Sequence, residues 1–287
     1  MWGKIMAEKI AILVDSGSDL PEELKKKYGI WTMNLRIVYG NEVYEDGSLP
    51  PQTVYSRFPQ EIPKTSTPNL LEVKDAVEQI RAQGYSKLIA VCISSGLSGT
   101  YNTVKTALGE FHDMQTFTFD SKSISIGTGM FALWAARAVA AGMSFEQITA
   151  GLQRKTKECK VFFYMDTLDY LRAGGRIGKI TGLIGKVLNI KPVISCNEEG
   201  IYYTVAMMRG KKNGMQRLLE TVQKHEPKGK LWLALMNGDA EEEAAHVRKQ
   251  LSEMFPNAER VVDKQITASL AVHTGPGLIG ICVFNAD

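Results

Sequence analysis

Two segments of the 287-residue chain gather hydroxyls and backbone amides where a helix should begin. Lys64-Thr65-Ser66-Thr67-Pro68-Asn69 precedes a helical pattern, and Ser94-Ser95-Gly96-Leu97-Ser98-Gly99-Thr100 joins a strand to one. Hydroxyls and N–H groups at a helix N-terminus receive an anion, aided by the macrodipole. Ser and Thr are also the preferred N-caps, so either segment alone reads as capping. Two together, dominated by neutral donors, point to a small anionic group held without a full counter-charge. A third segment, Ala271 to Leu278, reads as a loop in which His273 precedes Gly275-Pro276-Gly277. Such a loop fixes the backbone and can hold an imidazole over a ligand, although a lone histidine is otherwise an ordinary core residue. A fourth, Leu171-Arg172-Ala173-Gly174-Gly175-Arg176-Ile177-Gly178-Lys179, sets two arginines and a lysine among glycines, a pattern that grips phosphate or is simply a solvated basic loop.

Several chemistries are excluded or weakened by spacing. The basic loop lacks the G-x-x-x-x-G-K-[ST] order of a phosphate loop. Gly127-Thr128-Gly129-Met130-Phe131-Ala132 fits the dinucleotide fingerprint G-x-G-x-x-A, but Asp120–Ile126 separates it from the preceding strand, so its glycines read as allowances for close helix packing. Ser94, Ser95 and His273 supply residue types of a hydrolase acting on an acyl ester, with Ser95 as nucleophile; no G-x-S-x-G elbow accompanies them and no aspartate stands out as a third member. The four cysteines (Cys92, Cys159, Cys196, Cys282) form no C-x-x-C pair and read as buried thiols. The four histidines have no zinc-like spacing, so no metal and no cofactor are expected.

The elements that must position these segments alternate along the chain. Ile10–Val14 and Lys87–Ile93 are continuously apolar, as strands covered on both faces are. Gln115–Phe119 reads as a third strand. Helical patterns start at Pro21, span Leu70 to Ile80 with Gly84 as a stop, run to Leu108, and cover Thr128–Ala141 and Phe145–Thr156. The second half contains a strand at Val161–Met165 and a helix–loop–helix at Asp169–Gly185. A hairpin follows, with Pro192–Cys196 and Ile201–Met207 around Asn197-Glu198-Glu199-Gly200. Leu231–Met236, a helix from Ala240 to Met254, Arg260–Val262 and Ile279–Phe284 complete it. The expectation is an α/β protein of two α/β domains, residues 1–158 with a mostly parallel sheet and 159–287 with a mixed sheet.

Composition agrees with a globular chain: 44% apolar, 23% charged, net charge +3. So small a charge gives no electrostatic reason to expect nucleic acid. No run of about 18 apolar residues exists; the nearest, Thr128 to Met143, carries Arg137 and reads as a buried helix. Met1–Glu8 has lysines but no apolar stretch before Ile10, so neither stable membrane insertion nor export is expected, and the cytoplasm is the expected compartment.

Taken in order, seven motifs resemble those of the bacterial DegV family. They are Val14-Asp15-Ser16, Lys64-Thr65-Ser66-x-Pro68, Ser94-Ser95-Gly96-Leu97-Ser98-Gly99-Thr100-Tyr101, Asp120-Ser121-Lys122, Tyr170-Leu171-Arg172-x-Gly174-Gly175-Arg176-Ile177, Arg209-Gly210-Lys211-Lys212 and His273-x-Gly275-Pro276-Gly277. The resemblance runs from about residue 10 to 284, with Thr67 standing where many relatives carry Gln. It implies a long-chain fatty acid, such as palmitate, stearate or oleate, bound between two domains. It further implies that the protein is not itself an enzyme but the substrate-carrying subunit of a fatty acid kinase. A separate ATP-dependent catalytic subunit would phosphorylate the carboxylate, and the acyl-phosphate would enter phospholipid synthesis. On the same resemblance Thr65 and Ser95 contact the carboxylate with Ser66, Ser94 and His273 beside them, while Arg176 and Arg209 dock the kinase.

Overall fold

The computed structural model describes residues 9–180 and 190–287. Met1–Glu8 and the part of the expected helix–loop–helix beyond residue 180 lie outside the described residues. The chain begins with β1 (Ile10–Asp15), α1 (Glu22–Tyr28), β2 (Ile30–Met33), β3 (Arg36–Tyr39), β4 (Glu42–Glu45), α2 (Pro51–Arg57), β5 (Lys64–Ser66) and α3 (Leu70–Ala82). It continues through β6 (Lys87–Cys92), α4 (Thr100–Leu108), β7 (Gln115–Asp120), α5 (Ile126–Ala140), α6 (Phe145–Lys155) and β8 (Cys159–Tyr164). Then follow α7 (Asp169–Ala173), β9 (Ile190–Cys196), β10 (Tyr202–Arg209), α8 (Lys211–Lys224), β11 (Leu231–Gly238), α9 (Glu241–Met254), β12 (Glu259–Gln265), α10 (Ala268–Thr274) and β13 (Leu278–Asn285).

Three sheets result. The first is wholly parallel, in the order β2-β1-β6-β7; the second is mixed, β10-β9-β8-β13-β11-β12; the third is a small antiparallel sheet, β4-β3-β5. The α/β class, the parallel and mixed sheets and the antiparallel β9–β10 hairpin match the sequence reading. The small sheet and α2 were not foreseen.

Strand alternation explains the layering. In β1, Ile12 and Val14 face one core with Met130 and Phe131 of α5, whereas Ala11 and Leu13 face another with Val73, Val77 and Val104. The mixed sheet divides likewise: Val161 and Phe163 join the α5 core, while Phe162 and Tyr164 meet Leu218 and Val222 of α8. Helix α5 is therefore covered from both sides, touching β1, β6, β8 and β13. That is why Thr128–Ala141, Arg137 apart, is apolar on nearly every side. Its glycines are packing allowances: a Cβ on Gly127 would lie 2.2 Å from Ser123 Oγ, and one on Gly129 would lie 2.8 Å from Ser18 O. All four cysteines are buried free thiols. Among the described residues no helix is long and apolar enough to cross a membrane.

Candidate functional site

In a parallel sheet the crevice beyond the strand carboxyl ends, where neighbouring connections diverge, is the natural ligand position. Here β1 and β6 form that divide, and Asp15 at the end of β1 accepts the Ile93 N–H at 2.8 Å. Beyond it, between the α5 N-terminus and the mixed sheet, lies a cavity of about 940 Å³ with its mouth included. Leu35, Ile93, Leu97, Ile126, Phe163 and Met236 supply much of its wall.

Its polar residues come from several elements, β5 and α10 among them. Thr65 lies on β5 opposite Ile37 of β3. Ile37 is fully buried, so Thr65 shares the inward face and is half-buried, while its neighbours Lys64 and Ser66 are exposed, Ser66 where it still borders the cavity. What reads as a loop is thus a strand whose register aims one hydroxyl at the cavity. His273 corrects a second expectation: it sits in α10, not in a loop, and the helix ends after Thr274 at Gly275, whose φ is +70°. His273 Nε2 and Thr65 Oγ1 are 2.8 Å apart. His273 Nδ1 is buried without a partner, against Gly174, where a Cβ would come within 2.3 Å of it.

Enclosure of the ring, seconded by the neighbouring Arg176 guanidinium, pushes the His273 pKa down to about 3. The imidazole is neutral at physiological pH. An orphaned buried N–H is more costly than an orphaned acceptor, so the proton belongs on Nε2, where it donates to Thr65 Oγ1. Thr65 then keeps its own proton for a ligand oxygen.

Arg176 lines the same cavity, its guanidinium donating to Gly174 O at 2.8 Å. The resemblance assigned it to partner docking; in the structure it stands on the cavity wall near His273. Arg209, at the end of β10, is exposed and does not line the cavity.

The hydroxyls of 94–100 divide differently from expectation. Ser94 is buried and donates to Gly200 O at 2.7 Å. Ser95 donates its hydroxyl to Asp120 Oδ2 and its N–H to Asp120 Oδ1 at 3.1 Å, while Lys122 Nζ stands 3.3 Å from Ser95 Oγ. Neither serine lines the cavity; Ser98 and Gly99 do, together with Thr65, Ser66 and Thr67. A Cβ on Gly99 would stand 3.7 Å from Thr67 Cγ2, so the two hydroxyl-rich segments meet there. Ser98 lies in the same motif but was not singled out there; its closeness to the α4 N-terminus was the available signal. Ser95 and His273 are not paired with each other, which removes the nucleophile–base contact a serine hydrolase needs.

The match to known proteins spans the chain. A family model described as "Uncharacterised protein, DegV family" covers residues 9–286. A DegV domain-containing protein of Clostridium acetobutylicum is 37% identical over 279 residues, 97% of this chain and 99% of that protein. A DegV family protein from Thermus thermophilus, described by its fatty acid binding, superposes with a TM-score of 0.90 at 27% identity, covering 96% of this chain and 99% of the other. A stearic acid-binding protein from Eubacterium ventriosum superposes with a TM-score of 0.87 at 26% identity, covering 96% and 98%.

Proposed function

The chain belongs to the DegV family, and from that premise we propose that it binds one long-chain fatty acid in the cavity between its parallel and mixed sheets. The carboxylate lies at the end formed by Thr65, Ser98 and His273, and the tail runs along the apolar wall. The observation that carries this reading is a largely apolar cavity in which a neutral histidine orients a threonine hydroxyl. A C16 tail gains about 0.8 kcal/mol per buried methylene, roughly 11 kcal/mol gross; ordering and translational losses remove several of these. The head group is the harder half, because a buried carboxylate without donors is strongly disfavoured. The Thr65 and Ser98 hydroxyls satisfy it while leaving its oxygens nucleophilic.

That last property suits a carrier for a separate ATP-dependent kinase, whose product would be an acyl-phosphate for phospholipid synthesis. In this role a carboxylate oxygen attacks the γ-phosphorus of ATP held by the partner, the bond from that phosphorus to the bridging β-phosphate oxygen breaks, and ADP leaves. Arg176, on the cavity wall, meets the arriving phosphoryl charge, and Arg209 on the outer end of β10 contacts the partner. The cavity's position between the sheets supports reading residues 1–158 and 159–287 as the two lobes. Native mass spectrometry of protein purified from bacteria tests the binding step: the expected result is a non-covalent mass of one C14–C18 acid. Protein that stays empty, and takes up none of these acids when they are added, refutes it. The kinase step is tested by adding the purified partner and ATP and measuring acyl-phosphate.

A further inference from the structure

The helix that carries His273 is gripped at its other end by a carboxylate with no part in the reading above. Asp46 follows β4 and is 5% exposed. It accepts two hydrogen bonds from one residue, the Ser269 N–H at 3.1 Å and the Ser269 hydroxyl at 2.5 Å. Its own N–H donates to Leu35 O at 2.8 Å, so Asp46 is held between the end of β4 and the residue that leads into β3, and β3 carries β5 with Thr65 on its other edge. Ser269 and His273 are four residues apart and share one face of α10. Small sheet and helix are therefore joined at two points about 6 Å apart along the helix axis: Asp46 to Ser269, and Thr65 to His273.

A third tie comes from Asp19, buried in the turn after β1. It accepts the Thr267 N–H at 2.8 Å and the hydroxyl of Ser125, itself a cavity residue. These ties matter because α10 has seven residues, too few to hold a helix by themselves. Its register against Thr65 must be imposed from outside.

We propose that Asp46 is a positioning residue: by fixing Ser269 it sets the register of α10, brings His273 Nε2 to Thr65 Oγ1, and so creates the preference for an acid head group over a neutral one. The proposal rests on the fatty-acid reading of the cavity. It is tested by comparing affinities for palmitic acid and for its methyl ester, which shares the tail and lacks the charge. In Asp46→Ala the acid should weaken about tenfold, ~1.4 kcal/mol, with the ester unchanged; Asp46→Asn, which keeps one acceptor oxygen, should recover part of the loss. The ¹⁵N signals of His273 should show Nε2 protonated and hydrogen-bonded in the wild type and altered in Asp46→Ala. Acid and ester weakening in parallel, or an unchanged preference in folded Asp46→Ala, would overturn the proposal. Should Asp46→Ala not fold, Ser269→Ala removes the hydroxyl's bonds to Asp46 and Thr267 and keeps the N–H bond to Asp46; because Ser269 also lines the cavity, the acid-to-ester ratio is read and not the absolute affinity, and a ratio equal to that of the wild type again overturns the proposal. If the wild type binds neither compound, the fatty-acid reading fails; the His273 signals in Asp46→Asn then decide the positioning role separately.

Discussion

The segments around Thr65 and Ser95 look alike in sequence and differ in what their hydroxyls can do. Both place Ser or Thr before a helix near a strand end. Thr65 faces the cavity and bonds to a neutral imidazole that supplies a proton, which leaves the threonine proton for a ligand. Ser95 gives its proton to Asp120, held in turn by Lys122 2.8 Å away. A hydroxyl is useful to an anionic ligand only when no carboxylate has already accepted from it. In the second segment it is Ser98, three residues along, that lines the cavity.

This contrast can be broken most forcefully at Thr65. Thr65→Val keeps the shape and removes the donor; a hydrogen bond to a charged group contributes about 1.5–3 kcal/mol, so acid affinity should fall roughly ten- to a hundredfold. Isothermal titration or displacement of a fluorescent fatty acid would measure it, and an unchanged affinity would place the head group elsewhere. Ser98→Ala should have a smaller effect, about tenfold, because Ser98 Oγ also lies 2.9 Å from Thr100 Oγ1 and the helix start keeps other donors. Ser95→Ala sharpens the comparison from the other side. It should leave affinity untouched and lower the melting temperature by about 2–4 °C, the equivalent of roughly 1 kcal/mol in a domain of this class. A binding loss in Ser95→Ala larger than that in Ser98→Ala would reverse the assignment.

The legible parts of the molecule were those whose signal is local. The runs Ile10–Val14 and Lys87–Ile93 are buried on both faces, so an unbroken apolar string announced them. The Thr128–Ala141 string announced a helix packed from both sides in the same way. The small sheet escaped because β3, β4 and β5 are three or four residues long and half-exposed, too short for alternation to stand out. Thr65 was therefore named correctly as a hydroxyl and wrongly as a loop residue. His273 was read as a loop residue because Gly275-Pro276-Gly277 stops a helix as readily as it builds a turn. The choice between Ser95 and Ser98 was not legible, since it depends on where β7 delivers the Asp120 carboxylate, 25 residues further on.

Protonation gives the smallest expected effect and the finest discrimination. The folded-state pKa of His273 is depressed from 6.5 to about 3, so between those values the unfolded chain binds a proton that the folded one does not. That contribution to stability is present above about pH 6.5 and is lost as the pH falls towards 3. Burial raises Asp15 and Asp19 from 3.8 to about 7; their contributions have the opposite sign and fall as pH rises through the same window. Stability curves therefore mix opposing slopes, and affinity is the cleaner measurement. If Thr65 is oriented by a neutral ring, palmitic acid affinity should change by no more than about twofold between roughly pH 5.5 and 8, across the range where an ordinary imidazole titrates. Tightening on acidification that disappears in His273→Gln, and so does not come from Asp15 or Asp19, would mean that His273 works as an imidazolium, and the two segments would then differ by charge and not by the fate of one hydroxyl proton.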